Sequence, residues 1–204
     1  AILSGDAMFA CAFKYLLQCD KEVIPQLTET LTRGAIEVCE GQGFDMDFEN
    51  RQTVSTDEYL QMIKLKTGVL LSTALQLGAI TAKADEKTLN LLDTFGKYIG
   101  IAFQIKDDML DCWSDLDTFG KVCGADIIDR KKTFLYITAL ESATQTQRQE
   151  LLSLYENTTL DKDEKIQKVR AIYEQLSVAQ KAQKAVEEYN SKAFFLSFST
   201  YNPL

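Results

Sequence analysis

Apolar residues recur at helical spacing along almost the whole chain. Residues 2–18 are apolar all round, through Leu3, Met8, Phe9, Phe13, Leu16 and Leu17, which is the pattern of a core helix. A second helix is predicted over 22–40, from Val23 through Ile36, and Gly41-Gln42-Gly43 reads as its break. Ser55-Thr56-Asp57-Glu58 has the form of a capping box, in which the Ser hydroxyl and the Glu carboxylate each accept from the other residue's backbone N–H. It opens a helix predicted to reach about Ala82. Asp85-Glu86 caps the next helix, which is predicted to run toward Asp115. Residues 116–131 lose the period and read as an irregular loop. Helices return over 133–142, 145–156, 162–176 and 178–195, with a second capping box at Asp161-x-x-Glu164. No alternation of period two competes with this pattern, and no fixed-length repeat is present. The expectation is all-α: one helical domain over residues 1–204 around one broad core.

Composition narrows the function classes. Of 204 residues, 46% are hydrophobic and 25% charged, enough for one sizeable core. Only two Pro and ten Gly argue for few turns and long elements. The net charge of −8 disfavours a general nucleic-acid binder, so no nucleic-acid partner is expected. A polyanionic substrate would have to meet locally placed lysines or metal ions. Five Cys with no CxxC pair do not read as a disulfide frame; Cys11, Cys19 and Cys112, within helical patterns, read as small buried residues of a reducing compartment, which predicts a cytoplasmic protein. The absence of His excludes His-based triads and argues against a zinc site. No apolar run approaches ~18 residues, so no membrane span is predicted. The chain opens on Ala1 with neither Met nor a basic leader, as expected of a piece of a longer protein.

The most informative stretch is Phe103-Gln104-Ile105-Lys106-Asp107-Asp108-Met109-Leu110-Asp111. At about 100° per residue, with Asp107 at zero, Asp108 falls near 100°, Asp111 near 40° and Gln104 near 60°. These four share one arc, from which Met109 and Leu110 are expected to point away. Three carboxylates on one arc repel, and a divalent cation relieves that repulsion. Oxygen-only ligands suit Mg²⁺, which takes one or two carboxylates, keeps waters and bridges to substrate phosphate. An Asp-rich helix face is usually solvated surface. The apolar approach Ile99-Gly100-Ile101-Ala102-Phe103 marks a mostly buried helix and argues against that.

Other residues could add to this chemistry. Lys66-Thr67, inside an apolar helical stretch, offers an ammonium and a hydroxyl to one oxyanion, or Lys66 simply snorkels at a helix edge. Gly120-Lys121 and Asp129-Arg130-Lys131-Lys132 are candidate phosphate clamps or a solvated basic loop. Asp115 reads as a solvated helix end.

Taken in order, GQGFDMDFE, LKTG, FQIKDDMLD, FGK and DRKKT resemble the trans-isoprenyl diphosphate synthases, the family of farnesyl and geranylgeranyl diphosphate synthases. The likeness reaches to about residue 190. It implies an isoprenoid synthase-type antiparallel helical bundle. It further implies that Asp107, Asp108 and Asp111 bind Mg²⁺, and that Lys66 and Thr67 hold an allylic diphosphate. By the same likeness Gln104 lines the wall beside the metals, Lys121 and Lys131 reach the diphosphate from loops, and Gln42 lines the cavity. The implied reaction is ionisation of the allylic diphosphate, attack by the double bond of isopentenyl diphosphate, and loss of a proton to the released diphosphate. Phe103 could face the water-poor pocket that such a cation needs. A short C15–C20 trans-prenyl diphosphate is the expected product, and a homodimer the expected assembly.

Two departures from the family pattern stand out. Its first Asp-rich motif and its basic isopentenyl diphosphate site are not in this sequence, and the close at Phe194–Leu204 departs from the usual last helix. The resemblance therefore implies that residues 1–204 alone bind diphosphate weakly and condense no prenyl units. The alternatives are a class I terpene cyclase, and a non-catalytic partner subunit or inactive fragment of a synthase.

Overall fold

Long helices with few breakers make up nearly all of the structure, a computed structural model that describes residues 2–113 and 123–201. Among these residues there is no β-strand. The helices are α1 (Ile2–Leu16), α2 (Ile24–Asn50), α3 (Thr56–Ile63), α4 (Val69–Thr81), α5 (Glu86–Trp113), α6 (Ala125–Ile128), α7 (Phe134–Ser142), α8 (Gln145–Glu156), α9 (Lys162–Gln175) and α10 (Val178–Tyr201). A π-helical turn, Lys64–Gly68, joins α3 to α4. No described helix is long and apolar enough to cross a membrane.

Local chemistry fixes most starts. Pro25, with no N–H to lose, sits in the first turn of α2. Ser55 and Glu58 form the full capping box of α3, and Asp85 Oδ1 accepts the Thr88 N–H at 2.8 Å ahead of α5. Thr133 caps α7, and Thr144 with Gln147 forms a box on α8. At α9 only half of the predicted box exists. Asp161 accepts from the backbone of Asp163 and Glu164, while the Glu164 carboxylate pairs with Lys168 at 2.6 Å instead of reaching back.

The core is shared by α5 and the helices around it. Ile105 of α5, Ala139 of α7, Leu151 of α8, Val169 of α9 and Val178 and Ala182 of α10 are completely buried. α5 is the central element, packed mainly on α4 and α10.

Four expectations are corrected. First, α1 is not a core helix: none of its residues is buried, and Ile2 and Leu3 are 81% and 83% exposed. Its chief neighbour is α2 alone, and Phe9 and Phe13 pack edge to face on each other at 5.2 Å. Second, Gly41-Gln42-Gly43 does not break α2. Gly41 is where the backbone of α2 presses on the π turn. A Cβ there would fall against Lys66 N, 2.8 Å from Lys66 Cα and 2.9 Å from the Leu65 carbonyl carbon. Third, the helix predicted over 56–82 is interrupted by the wide turn, whose Val69 N–H bonds to the Lys64 carbonyl. Fourth, the expected loop contains helix α6, which starts after Gly124 (φ 84°) and is followed by Arg130 in the left-handed region (φ 58°).

Candidate active site

A cavity of about 570 Å³ opens beside α5. Its walls are Asp45, Phe48 and Glu49 of α2, Tyr59, Met62 and Ile63 of α3, and Lys66 of the π turn. α5 contributes Gln104, Asp107, Asp108, Leu110 and Asp111, and the segment beyond it adds Cys123, Ala125, Asp126, Lys131, Lys132 and Thr133.

The three aspartates of α5 share this wall in different states. Asp107 is exposed and Asp111 half-buried. Asp108 is 5% exposed and fully engaged. Its Oδ2 accepts the Tyr59 hydroxyl at 2.6 Å and the Phe134 N–H at 3.0 Å. Its Oδ1 accepts Gln104 Nε2 at 3.3 Å. Burial pushes the Asp108 carboxyl up to about 7 against the pull of these donors. It therefore pins α5 to α3 and to the start of α7. Asp111 Oδ2 accepts the Asp126 N–H at 3.0 Å, and burial raises its pKa, with the nearby Asp126 charge adding to the effect. Leu110, expected to face away, lines the cavity, because a side chain 60° to the other side of Asp107 still falls on this wall.

The π turn delivers the first cation. Lys66 Nζ meets Asp45 Oδ2 at 2.6 Å. Thr67 Oγ1 donates to Gln104 Oε1 at 3.1 Å, which ties the turn to α5 and, through Gln104, to Asp108. The left-handed Arg130 turns the chain so that Lys131 and Lys132 reach the opposite wall. Lys131 pairs with Asp126 at 2.6 Å, which raises its pKa. Burial and the Arg130 charge lower that of Lys132.

Six carboxylates thus face three lysines. An anion entering such a cavity needs added positive charge. Among the described residues no three potential ligands converge on one metal position, consistent with Asp108 being committed to protein donors. Asp107 and Asp111, one helical turn apart, remain. An oxygen-only pair fits Mg²⁺, which needs one or two carboxylates and completes its shell with water and phosphate.

Of the residues singled out in the sequence, Lys66, Gln104, Asp107, Asp108, Asp111 and Lys131 meet in this one cavity. Thr67 stands behind it on Gln104. Gln42 is exposed and outside the lining, about one turn before Asp45 on α2. Lys121 and Asp115 lie outside the described residues. Phe103 is 61% exposed and does not line the cavity. Lys132 of the basic Asp129-Arg130-Lys131-Lys132 segment lines it too, whereas Tyr59, Glu49 and Asp126 were not singled out. Asp45 lies four residues after Gly41, on the helix face that the packed glycine marks.

A helical bundle holding an acidic cavity with inward lysines is the architecture of isoprenoid synthases. The polyprenyl synthetase family model matches residues 1–176, and the chain belongs to that family. It is 38% identical over 155 residues to a short chain isoprenyl diphosphate synthase of Methanothermobacter thermautotrophicus, covering 76% of this chain and 48% of the relative. It is 38% identical over 147 residues to a geranylgeranyl diphosphate synthase of Methanosarcina mazei, covering 71% and 45%. Among solved structures, a geranylgeranyl pyrophosphate synthase superposes with a TM-score of 0.90 at 42% identity, over 96% of this chain and 61% of the other. The synthetase from Pyrococcus horikoshii Ot3 gives 0.86 at 30% identity, over 96% and 59%. The chain spans about half the length of the curated relatives it matches.

Proposed function

We propose that this chain carries the diphosphate-holding part of a trans-prenyltransferase, which joins isopentenyl diphosphate to an allylic diphosphate and yields a short C15–C20 prenyl diphosphate. The observation that carries this reading is the convergence of Lys66, Lys131 and Lys132 with Asp107 and Asp111 on one cavity. Relatives named as short-chain and geranylgeranyl synthases support the substrate class. No observation favours a terpene cyclase or a non-catalytic partner. A homodimer and a cytoplasmic location belong to the same proposal.

The chain's own residues divide the work. Lys66, Lys131 and Lys132 bind diphosphate oxygens, and Lys121 is proposed to join them. Thr67 and Gln104 set the orientation of the Lys66 turn through their hydrogen bond. Asp107 and Asp111 would hold Mg²⁺, with Asp108 fixing the helix that carries them. Bound there, Mg²⁺ supplies positive charge to the leaving diphosphate as the allylic C–O bond ionises. Phe48, Met62, Ile63 and Leu110 give the cavity its apolar wall, which keeps water from an allylic cation. Gln42 is assigned to the rim of the same site.

The test is calorimetric titration of inorganic pyrophosphate with Mg²⁺, alongside transfer of radiolabelled isopentenyl diphosphate to dimethylallyl diphosphate by the full-length protein. Lys66→Met and Asp107→Asn should each weaken pyrophosphate binding. In turnover, loss of one charge-stabilising donor should reduce the rate ~10²–10³-fold. Unchanged binding and turnover in both variants would refute the assignment.

A further inference from the structure

Beyond the acidic wall, the cavity carries a feature that prenyl transfer does not use: two cysteines and an arginine at the carboxyl end of α5. Cys123 is half-buried and lines the cavity. Its thiol hydrogen-bonds the Asp111 carbonyl at 3.3 Å and the Cys112 carbonyl at 3.6 Å. Arg170 of α9 reaches over, with Nη2 2.9 Å from the Cys123 sulfur. The same guanidinium charge also acts on the Cys112 thiol, opposing the effect of burial on it. Both sulfurs therefore lie within reach of one cation. Arg170 Nε is buried and has no hydrogen-bond partner among the described residues.

We propose that Cys112 and Cys123 form a thiol modification site, at which a peroxide-class oxidant makes an intrachain disulfide at the wall of the cavity. Chemistry and burial assign the order. Cys123, reachable from the cavity, attacks the peroxide O–O bond and becomes a sulfenic acid, releasing one water. Cys112, 2% exposed, then attacks the Cys123 sulfur, forms the S–S bond and expels the second water. The two thiols lose two hydrogens and two electrons, and one hydrogen peroxide becomes two waters. Arg170 keeps its charge throughout and stabilises whichever sulfur is anionic. Cys112 is enclosed while Cys123 lines the cavity, so Cys123 meets the oxidant first and Cys112 is placed to resolve it. The bridge would replace the hydrogen bonds of Cys123 at the end of α5, next to the Gly124 N–H that holds the Asp111 carbonyl at 2.7 Å. Oxidation would thereby alter the wall that carries Asp111 and Asp126. This thiol pair and its arginine are independent of whether the cavity transfers prenyl groups.

The test treats the whole chain with hydrogen peroxide and maps it by non-reducing proteolysis and mass spectrometry. Trypsin cuts after Lys106, Lys121 and Arg130, so the two cysteines fall in different peptides. The expected result is a linked pair of these peptides, about 2 Da lighter than their sum, and separated again by dithiothreitol. In a Cys11→Ser, Cys19→Ser, Cys39→Ser variant, titratable thiols should fall from two to none with no disulfide-linked dimer on a non-reducing gel. Cys123→Ser should abolish the link and leave Cys112 reduced. Cys123 driven to sulfinic acid with Cys112 still a thiol, or oxidation confined to Cys11, Cys19 and Cys39 in the unsubstituted chain, would overturn the proposal.

Discussion

Replacing Gly41 or Gly43 by alanine puts the same methyl on the same helix two residues apart, and the structure predicts opposite outcomes. At Gly43 an added Cβ meets nothing within 4 Å. There the substitution gains only helix propensity, about 1 kcal/mol of stabilisation. At Gly41 the added Cβ falls under 3 Å from three backbone atoms of Leu65 and Lys66. Backbone cannot rotate aside as a side chain can, so α2 and the π turn must separate. Forcing one methyl into such a contact costs ~1–3 kcal/mol. The propensity gain is common to both variants and cancels in the comparison. Gly41→Ala should therefore be the less stable of the two by ~1–3 kcal/mol, at roughly 2–4 °C in Tm for each kcal/mol in a chain of this size. Urea denaturation followed by circular dichroism measures the first quantity and scanning calorimetry the second. Because the displaced turn carries Lys66, pyrophosphate affinity should fall only in Gly41→Ala. Equal stability of the two variants would refute the reasoning that Gly41 is held by close backbone packing.

Three further outcomes follow from the same geometry. Tyr59→Phe removes the 2.6 Å donor to buried Asp108 and should destabilise by ~1–3 kcal/mol in urea unfolding; an unchanged midpoint would show that the pin is dispensable. Glu58 is held down to about 2 by the Ser55 N–H, then by Arg51 and the Ser55 hydroxyl. Its folded pKa lies below its unfolded one, so its contribution is present above about pH 4.5 and disappears as pH falls toward 2. Glu58→Gln should flatten the acid limb of a Tm-against-pH curve over that window, and parallel curves for the two proteins would contradict this. Thr133→Ala should cost ~1 kcal/mol through loss of the α7 cap, a loss that Thr133→Ser should largely restore in the same unfolding assay.

What could be read before the structure depended on how locally each feature is determined. Ser55 with Glu58 and Asp85 with Thr88 act within four residues, so their helix starts were legible. The arc of Gln104, Asp107, Asp108 and Asp111 was legible for the same reason, since one helix period sets it. The fate of Asp108 was not, because its strongest partner, Tyr59, lies 49 residues earlier. Gly41 was read as a break because a glycine that admits a neighbouring backbone and one that ends a helix look alike in sequence. The π turn left no mark, since Met62, Ile63 and Val69 keep an ordinary apolar spacing across it. In α1 the pattern registered hydrophobicity correctly, but hydrophobicity does not say what covers it.

The wide turn between α3 and α4 also acts as a change of thread in one screw. A single residue beyond the α-helical count turns everything after it by about 100°. α3 thereby points Tyr59 at Asp108, while α4 is free to aim Ser72 and Gln76 at Asp93 on the same central helix. Deleting any one residue of Lys64–Gly68 would remove little length but would dial one of these faces away from α5. Among related sequences, a one-residue gap at this point should accordingly be read as a rotation of the downstream helix rather than as a shortening.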